Sequence, residues 1–103
     1  MATGIPHHLL FFTSERSGPA RRMESLLAQL AHRERGRLRV SPVHLDASPA
    51  LARHFGVTEV PTLVLLAGDT PVARLEGRAS APEIEALLSG HLPAGNPNPS
   101  LAA

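Results

Sequence analysis

The chain begins with a short apolar run that leads into a longer stretch of helical periodicity. Residues 8–13 are almost continuously apolar and of strand length, which predicts a strand covered on both faces. From Pro19 to about Arg35 apolar residues recur at spacings of three and four, which predicts an amphipathic helix. Ser17 suits the cap of this helix and Gly36 suits its end. We expect the helix to cover one face of a sheet.

Four further segments follow the same logic. Residues 38–45 have strand character, but Pro42 offers no N–H, so this strand is expected at a sheet edge or at a bulge. Residues 48–56 predict a short helix that a serine caps and a glycine closes. Residues 61–77 predict a hairpin, and residues 80–92 a final amphipathic helix capped by its first serine. The predicted order is β-α-β-α-β-β-α, with the first two strands parallel.

The domain organisation follows from the polar ends of the chain. The 103 residues suffice for one core, and we expect one folded domain over residues 7–92. Residues 93–103, rich in Pro and Asn, are expected to form a flexible tail. The sequence offers no export signal and no apolar run of membrane-spanning length, which favours a cytoplasmic location without membrane contact.

The amino-acid composition excludes several classes of function and argues against others. The chain has no cysteine, which excludes disulfides, thiolate catalysis and iron–sulfur ligation by this chain alone. Only 3% of residues are aromatic and the formal net charge is +1, which argues against stacking platforms and basic patches for nucleic acid. His7 and His8 are adjacent, and the other four histidines fall on separate predicted elements. A metal site would need one of that pair beside His44 on a neighbouring strand, so none is predicted.

Three motifs in series point to a family. "RSGPA" occupies the first strand-to-helix turn, "DASPALARHFGV" forms the short helix, and "GVTEVPTLVLL" opens the third strand. In this order, with Gly77 after the last strand, the chain resembles the thioredoxin family over residues 9–92. The resemblance implies an α/β, thioredoxin-like fold with a four-stranded mixed sheet flanked by helices. Compared with the family, the chain is expected to lack the N-terminal strand and helix. That strand would cover residues 38–45, so these residues are expected to form an uncovered edge.

The departures from the family concern its redox chemistry. The family turn reads Trp-Cys-Gly-Pro-Cys, and here Arg16 stands for the tryptophan while Ser17 and Ala20 stand for the cysteines. The family's buried carboxylate falls at Phe11, and its lysine partner falls at Pro42. A dithiol enzyme is what the family implies, but none of these residues can replace the group it stands for. The sequence therefore predicts a redox-inactive domain without enzymatic activity or cofactor.

The resemblance also implies a binding surface, which does not depend on the missing cysteines. In the family, backbone beside a cis-proline pairs with an extended peptide or a glutathione-like ligand, a form of strand addition. The Val-Pro-Thr step of this chain corresponds to that proline. We expect a peptide or protein partner at the turn and the cis-proline edge, which comprise Arg16, Ser17, Gly18, Pro19, Ala20, Val60 and Pro61.

Alternative interpretations remain open from the sequence. One is an enzyme that stabilises the thiolate of glutathione through Ser17; another is a cysteine-free variant of a working oxidoreductase. Ser17 as a nucleophile would need about 11 kcal/mol to ionise at neutral pH, whereas a helix N-terminus supplies about 0.3–1 kcal/mol. A general base would be required, and the sequence places none. The chain is expected to be a monomer, or a weak dimer through the edge strand near Pro42.

Overall fold

Within the described part of the chain, strands and helices follow one another in the order that the apolar pattern predicts. The structure, a computed structural model, describes residues 7–91, so the predicted tail at 93–103 lies outside it. No helix in these residues is long and apolar enough to cross a membrane. The elements are β1 (His7–Thr13), α1 (Gly18–Arg33), β2 (Leu38–His44), α2 (Pro49–His54), β3 (Thr62–Ala67), β4 (Thr70–Glu76) and α3 (Ala81–Ser89).

The four strands form one mixed sheet in the order β2-β1-β3-β4. β1 pairs in parallel with β2 and antiparallel with β3, and β3 and β4 form the antiparallel hairpin. The five residues from Leu9 to Thr13 are all buried, as expected for a central strand with both faces covered. The α/β architecture with a four-stranded mixed sheet is therefore confirmed.

Pro42 lies on the exposed side of an edge strand. The N–H of His7 donates to the C=O of Arg37 (3.0 Å), and the N–H of Leu45 donates to the C=O of Thr13 (3.1 Å). Because bonding in a parallel ladder alternates along each strand, the odd-numbered residues of β2 face β1 and the even-numbered ones face away. The missing N–H of Pro42 thus costs no ladder bond, and the ring opposes pairing by another strand. The predicted edge position is confirmed.

The sheet separates two apolar clusters, one on each face. Each fully buried leucine or phenylalanine contributes about 1.5–3 kcal/mol relative to exposure, so these clusters hold the layers together. The cluster under α1 and α3 consists of Leu9, Phe11, Ala20, Met23, Leu27, Leu30, Leu38, Leu63, Leu65, Ala79, Ile84 and Leu88. The cluster on the α2 face consists of Leu10, Phe12, Val43, Ala52, Val57, Val64 and Leu66.

The helix ends agree with the sequence at some positions and differ at others. The hydroxyl oxygen of Ser17 accepts a hydrogen bond from the Ala20 N–H, and Ser80 forms a full capping box at the start of α3. α1, however, ends at Arg33, earlier than predicted. Gly36, at φ +95°, lies in the turn that follows, where the left-handed conformation suits glycine. Ser48 occupies the cap position of α2, but its side chain makes no capping hydrogen bond.

Candidate functional site

The turn between β1 and α1 is held by its own backbone and two serine side chains. The N–H of Ser17 donates to the C=O of Ser14 (3.1 Å), and the N–H of Arg16 donates to the Ser14 hydroxyl (3.2 Å). The Ser17 hydroxyl then accepts from the Ala20 N–H at 3.1 Å. Ala20 is fully buried, whereas Arg16 and Gly18 are exposed. The turn therefore presents backbone and the Arg16 side chain to a ligand rather than a reactive group.

The segment before β3 lies at the same end of the sheet as this turn. Phe12 pairs with Thr62 in the antiparallel ladder, so the residues after β1 and those before β3 emerge together. The Val60–Pro61 peptide bond is cis, and the Pro61 C=O accepts from the Gly77 N–H at 2.8 Å. Among residues 7–91, neither the N–H nor the C=O of Val60 has a hydrogen-bond partner. Within the described residues, the backbone of Val60 therefore lies outside the hydrogen-bonded ladder of the sheet.

The site has no group suited to covalent or redox chemistry. The 103 residues contain no sulfur nucleophile, since cysteine is absent. Within the described residues, the hydroxyl of Ser17 has one hydrogen-bond partner, the N–H of Ala20, and no base contacts it. Phe11 is 2% exposed and is the register partner of Pro42 on the next strand. Neither residue can take up or release a proton, so neither can act as an acid or a base.

Arginines surround the start of α1. Arg16, Arg21 and Arg22 are exposed, and none has an ion-pair partner in the part of the chain that the structure describes. The first turn of α1 has no acidic residue. A guanidinium nitrogen of Arg22 lies 3.9 Å from where a Cβ on Gly18 would stand. A helix N-terminus already carries partial positive charge, so these cations are placed against the usual preference.

The histidines do not gather into a metal site in residues 7–91, where no group of three potential ligands occurs. His44 pairs with Thr13, at the far end of β1 from His7 and His8. The condition under which adjacent strands could have built a metal site is therefore not met. Instead, the Nε2 atom of His8 lies 2.7 Å from the hydroxyl oxygen of Ser41 on β2. No local motif marks this pair, because only the strand register brings the two side chains together.

Burial and a neighbouring arginine change the ionisation of His8. Burial lowers the pKa of the His8 imidazole below its ordinary value, and the charge of Arg39 lowers this pKa further. The other strand neighbour of His8 is the uncharged Leu66. A lowered pKa in the folded state means that the unfolded chain binds this proton more readily. The free energy of unfolding should therefore decrease as the pH falls below the pKa that the His8 imidazole has in the unfolded chain. It should level off once the pH is below the pKa of His8 in the folded protein.

We expect His8→Gln to remove this acid-dependent loss, because glutamine does not titrate. Thermal unfolding of both proteins, followed by circular dichroism from neutral pH to about pH 5, checks it. The difference in midpoint between the two proteins should shift in favour of the variant as the pH falls. A difference that is constant with pH would show that His8 does not contribute to the pH dependence of stability.

Three comparisons relate the chain to known proteins. The thioredoxin family model matches residues 3–90. A thioredoxin of Alicyclobacillus acidocaldarius is 31% identical over 81 residues, which cover 79% of this chain and 77% of that protein. The bifunctional thioredoxin reductase/thioredoxin of Mycobacterium leprae is 33% identical over 69 residues, which cover 67% of this chain but only 15% of that protein. The solved structure of a mutant thioredoxin from Halobacterium salinarum superimposes with a TM-score of 0.73 at 30% identity, covering 81% of this chain and 73% of that one.

Proposed function

Since this chain belongs to the thioredoxin family, we propose that it is a redox-inactive binding module that holds an extended peptide or protein partner. The observation that carries this proposal is the backbone of Val60, whose N–H and C=O have no partner among residues 7–91. Disulfide exchange requires a thiolate, and the chain has no cysteine to supply one. Binding is the property of the scaffold that does not depend on sulfur.

The proposed mode of binding is strand addition beside the cis-proline. An extended peptide would pair its own N–H and C=O with those of Val60, which gives affinity without a deep pocket. Gly18 and Pro19, at the start of α1, would lie on the other side of the peptide. Two main-chain hydrogen bonds contribute about 0.5–1.5 kcal/mol each, so side-chain contacts must supply the selectivity.

Arg16 is the residue proposed to supply that selectivity. It is exposed, and no acidic side chain pairs with it in the described part of the chain. An acidic residue in the peptide would meet both this guanidinium and the partial positive charge at the start of α1. The proposed partner is therefore an extended segment that carries a carboxylate. The oligomeric state, monomer or weak dimer, stays a prediction.

Selection from a random peptide library displayed on phage tests this proposal. We expect the selected peptides to be enriched in Asp and Glu, and to bind Arg16→Glu about tenfold more weakly than the parent protein, since reversing a charge replaces attraction with repulsion. Arg35→Glu is the matched control, because it makes the same charge change in the turn beyond the other end of α1. Affinities are measured by isothermal calorimetry with synthetic copies of the selected peptides.

Backbone NMR then locates the contact. Peptide addition should shift the amide signals of residues 16–18, of Ala20 and of Val60, and leave those of α3 unchanged. Peptides whose signals map to another surface, or which bind Arg16→Glu and Arg35→Glu equally well, would contradict the proposal. A titration with reduced glutathione forms a second arm. Saturable shifts at Ser17 and Val60 with glutathione alone would favour a thiol ligand in place of a peptide.

A further inference from the structure

The side chains of His8 on β1 and Ser41 on β2 are hydrogen-bonded to each other on the α2 face of the sheet. A histidine next to a serine is a chemically reactive combination. His8 is the register partner of Arg39 and Leu10 is the partner of Ser41, so the three polar residues share one face. The Nε2 atom of His8 lies 2.7 Å from the Ser41 hydroxyl oxygen. This distance lies within the range found between a serine nucleophile and its general base.

The residues around His8 and Ser41 affect the ionisation of the histidine and leave both side chains partly exposed to solvent. His8 and Ser41 are half-buried and Arg39 is exposed, and none of them belongs to the apolar cluster on the α2 face. Within residues 7–91, the side chain of His8 makes one hydrogen bond, the one to Ser41. Burial and Arg39 lower the pKa of the His8 imidazole, which favours the uncharged form that can accept a proton.

From this geometry we infer that Ser41 is an activated nucleophile, with His8 as its general base, that accepts an acyl group from reactive esters. The inference is independent of the peptide surface at the Ser17 turn, which lies beyond the opposite end of β1 from His8. Nothing in the redox chemistry of the family involves these positions, and sulfur plays no part in the reaction.

The acyl transfer to Ser41 needs only the ester and the side chains of this site. In the imidazole tautomer that carries its proton on Nδ1, the Nε2 atom accepts the Ser41 hydroxyl proton as Oγ attacks the ester carbonyl. The Oγ–acyl bond forms, the bond between the carbonyl carbon and the leaving oxygen breaks, and the proton on Nε2 passes to the leaving alkoxide or phenolate oxygen. The guanidinium of Arg39, beside His8 on β2, is the positive charge that would stabilise the oxyanion of the intermediate.

Acetylation by p-nitrophenyl acetate tests the inference, with the site of modification read by peptide mass spectrometry after quenching in acid. The chain suits this probe because it contains neither cysteine nor lysine, so thiol and ε-amino groups do not compete, and an acylated histidine hydrolyses whereas an acylated serine persists. Ser25, exposed on α1, is an internal control without a histidine partner among the described residues. General base assistance is typically worth 10²–10⁴-fold, so we expect Ser41 to be acetylated about 10²-fold faster than Ser25.

Two variants separate reactivity from mere exposure. His8→Gln keeps a hydrogen-bonding side chain next to Ser41 but cannot take up a proton, so acetylation of Ser41 should fall to the rate seen at Ser25. Ser41→Ala should lose the modified peptide altogether, and circular dichroism verifies that both variants fold. The comparison of Ser41 with Ser25 in the parent protein needs no variant. Equal rates at the two serines, or an unchanged Ser41 rate in a folded His8→Gln, would overturn the inference.

Discussion

Phe11→Asp is expected to leave most of the protein unfolded at neutral pH. Phe11 is 2% exposed and belongs to the cluster under α1 and α3. Loss of its ring costs about 3–5 kcal/mol, and burying an unpaired carboxylate adds several more. Its register partner is Pro42, which cannot supply a compensating charge. Since domains of this size are stable by about 5–15 kcal/mol, the sum of the two costs reaches the whole stability.

Urea denaturation followed by circular dichroism measures this effect. Phe11→Leu is the matched control, since it removes aromatic volume without adding charge, and we expect it to stay folded with a modest loss of stability. Adding Pro42→Lys to Phe11→Asp should recover part of the loss, because the two positions face each other across β1 and β2. A folded Phe11→Asp with the denaturation midpoint of Phe11→Leu would contradict the burial argument.

The double substitution Ser17→Cys and Ala20→Cys is expected to create disulfide-reducing activity where the parent protein has none. The two positions are the cap of α1 and a residue in its first turn, so they have the Cys-x-x-Cys spacing at a helix N-terminus. That placement lowers the pKa of the first thiol and makes it nucleophilic at neutral pH. Phe11 leaves no carboxylate to handle protons, so the rate should stay about 10²-fold or more below that of a complete family member.

Insulin reduction by dithiothreitol is the assay, with turbidity as the readout. The single variants Ser17→Cys and Ala20→Cys serve as controls, because one thiol cannot close the intramolecular disulfide. The parent protein should not accelerate the reaction. Acceleration by the parent that Ser17→Ala abolishes would contradict the redox-inactive interpretation. A folded double variant that forms its disulfide yet stays inactive would show that the remaining surface no longer supports the chemistry.

Local chemistry explains why much of the fold was predictable. The three-and-four spacing of α1 and the capping serine at position 80 act through neighbouring residues, so the sequence alone reveals them. Pro42 predicts an edge or a bulge for the same reason, since a residue without an N–H cannot donate to a regular ladder, and the structure shows the edge. The end of α1 differs from the prediction: the helix stops at Arg33, and the N–H groups of Arg37 and Leu38 both donate to the C=O of Glu34 in the turn that follows.

The same distinction between local and long-range signals applies to the candidate sites. The turn from Arg16 to Ala20 and the Val60–Pro61 step were found in the sequence, because each is a compact local motif. Their placement at one end of the sheet depends on the antiparallel pairing of β1 with β3. The contact between His8 and Ser41 has no local signal at all. It spans 33 positions and exists only in one register of β1 against β2.

The amino-acid sequence alone determined the order of the elements, the family resemblance and the absence of any thiol chemistry, because these depend on residue types and short spacings. The tertiary structure decided which side chains meet across strands. The apolar pattern of a strand repeats every two residues and marks which faces are buried, but it does not say which residue of a partner strand stands opposite. That choice required both faces of the sheet to be packed at once, and it placed His8 beside Arg39 and Ser41 rather than beside His44.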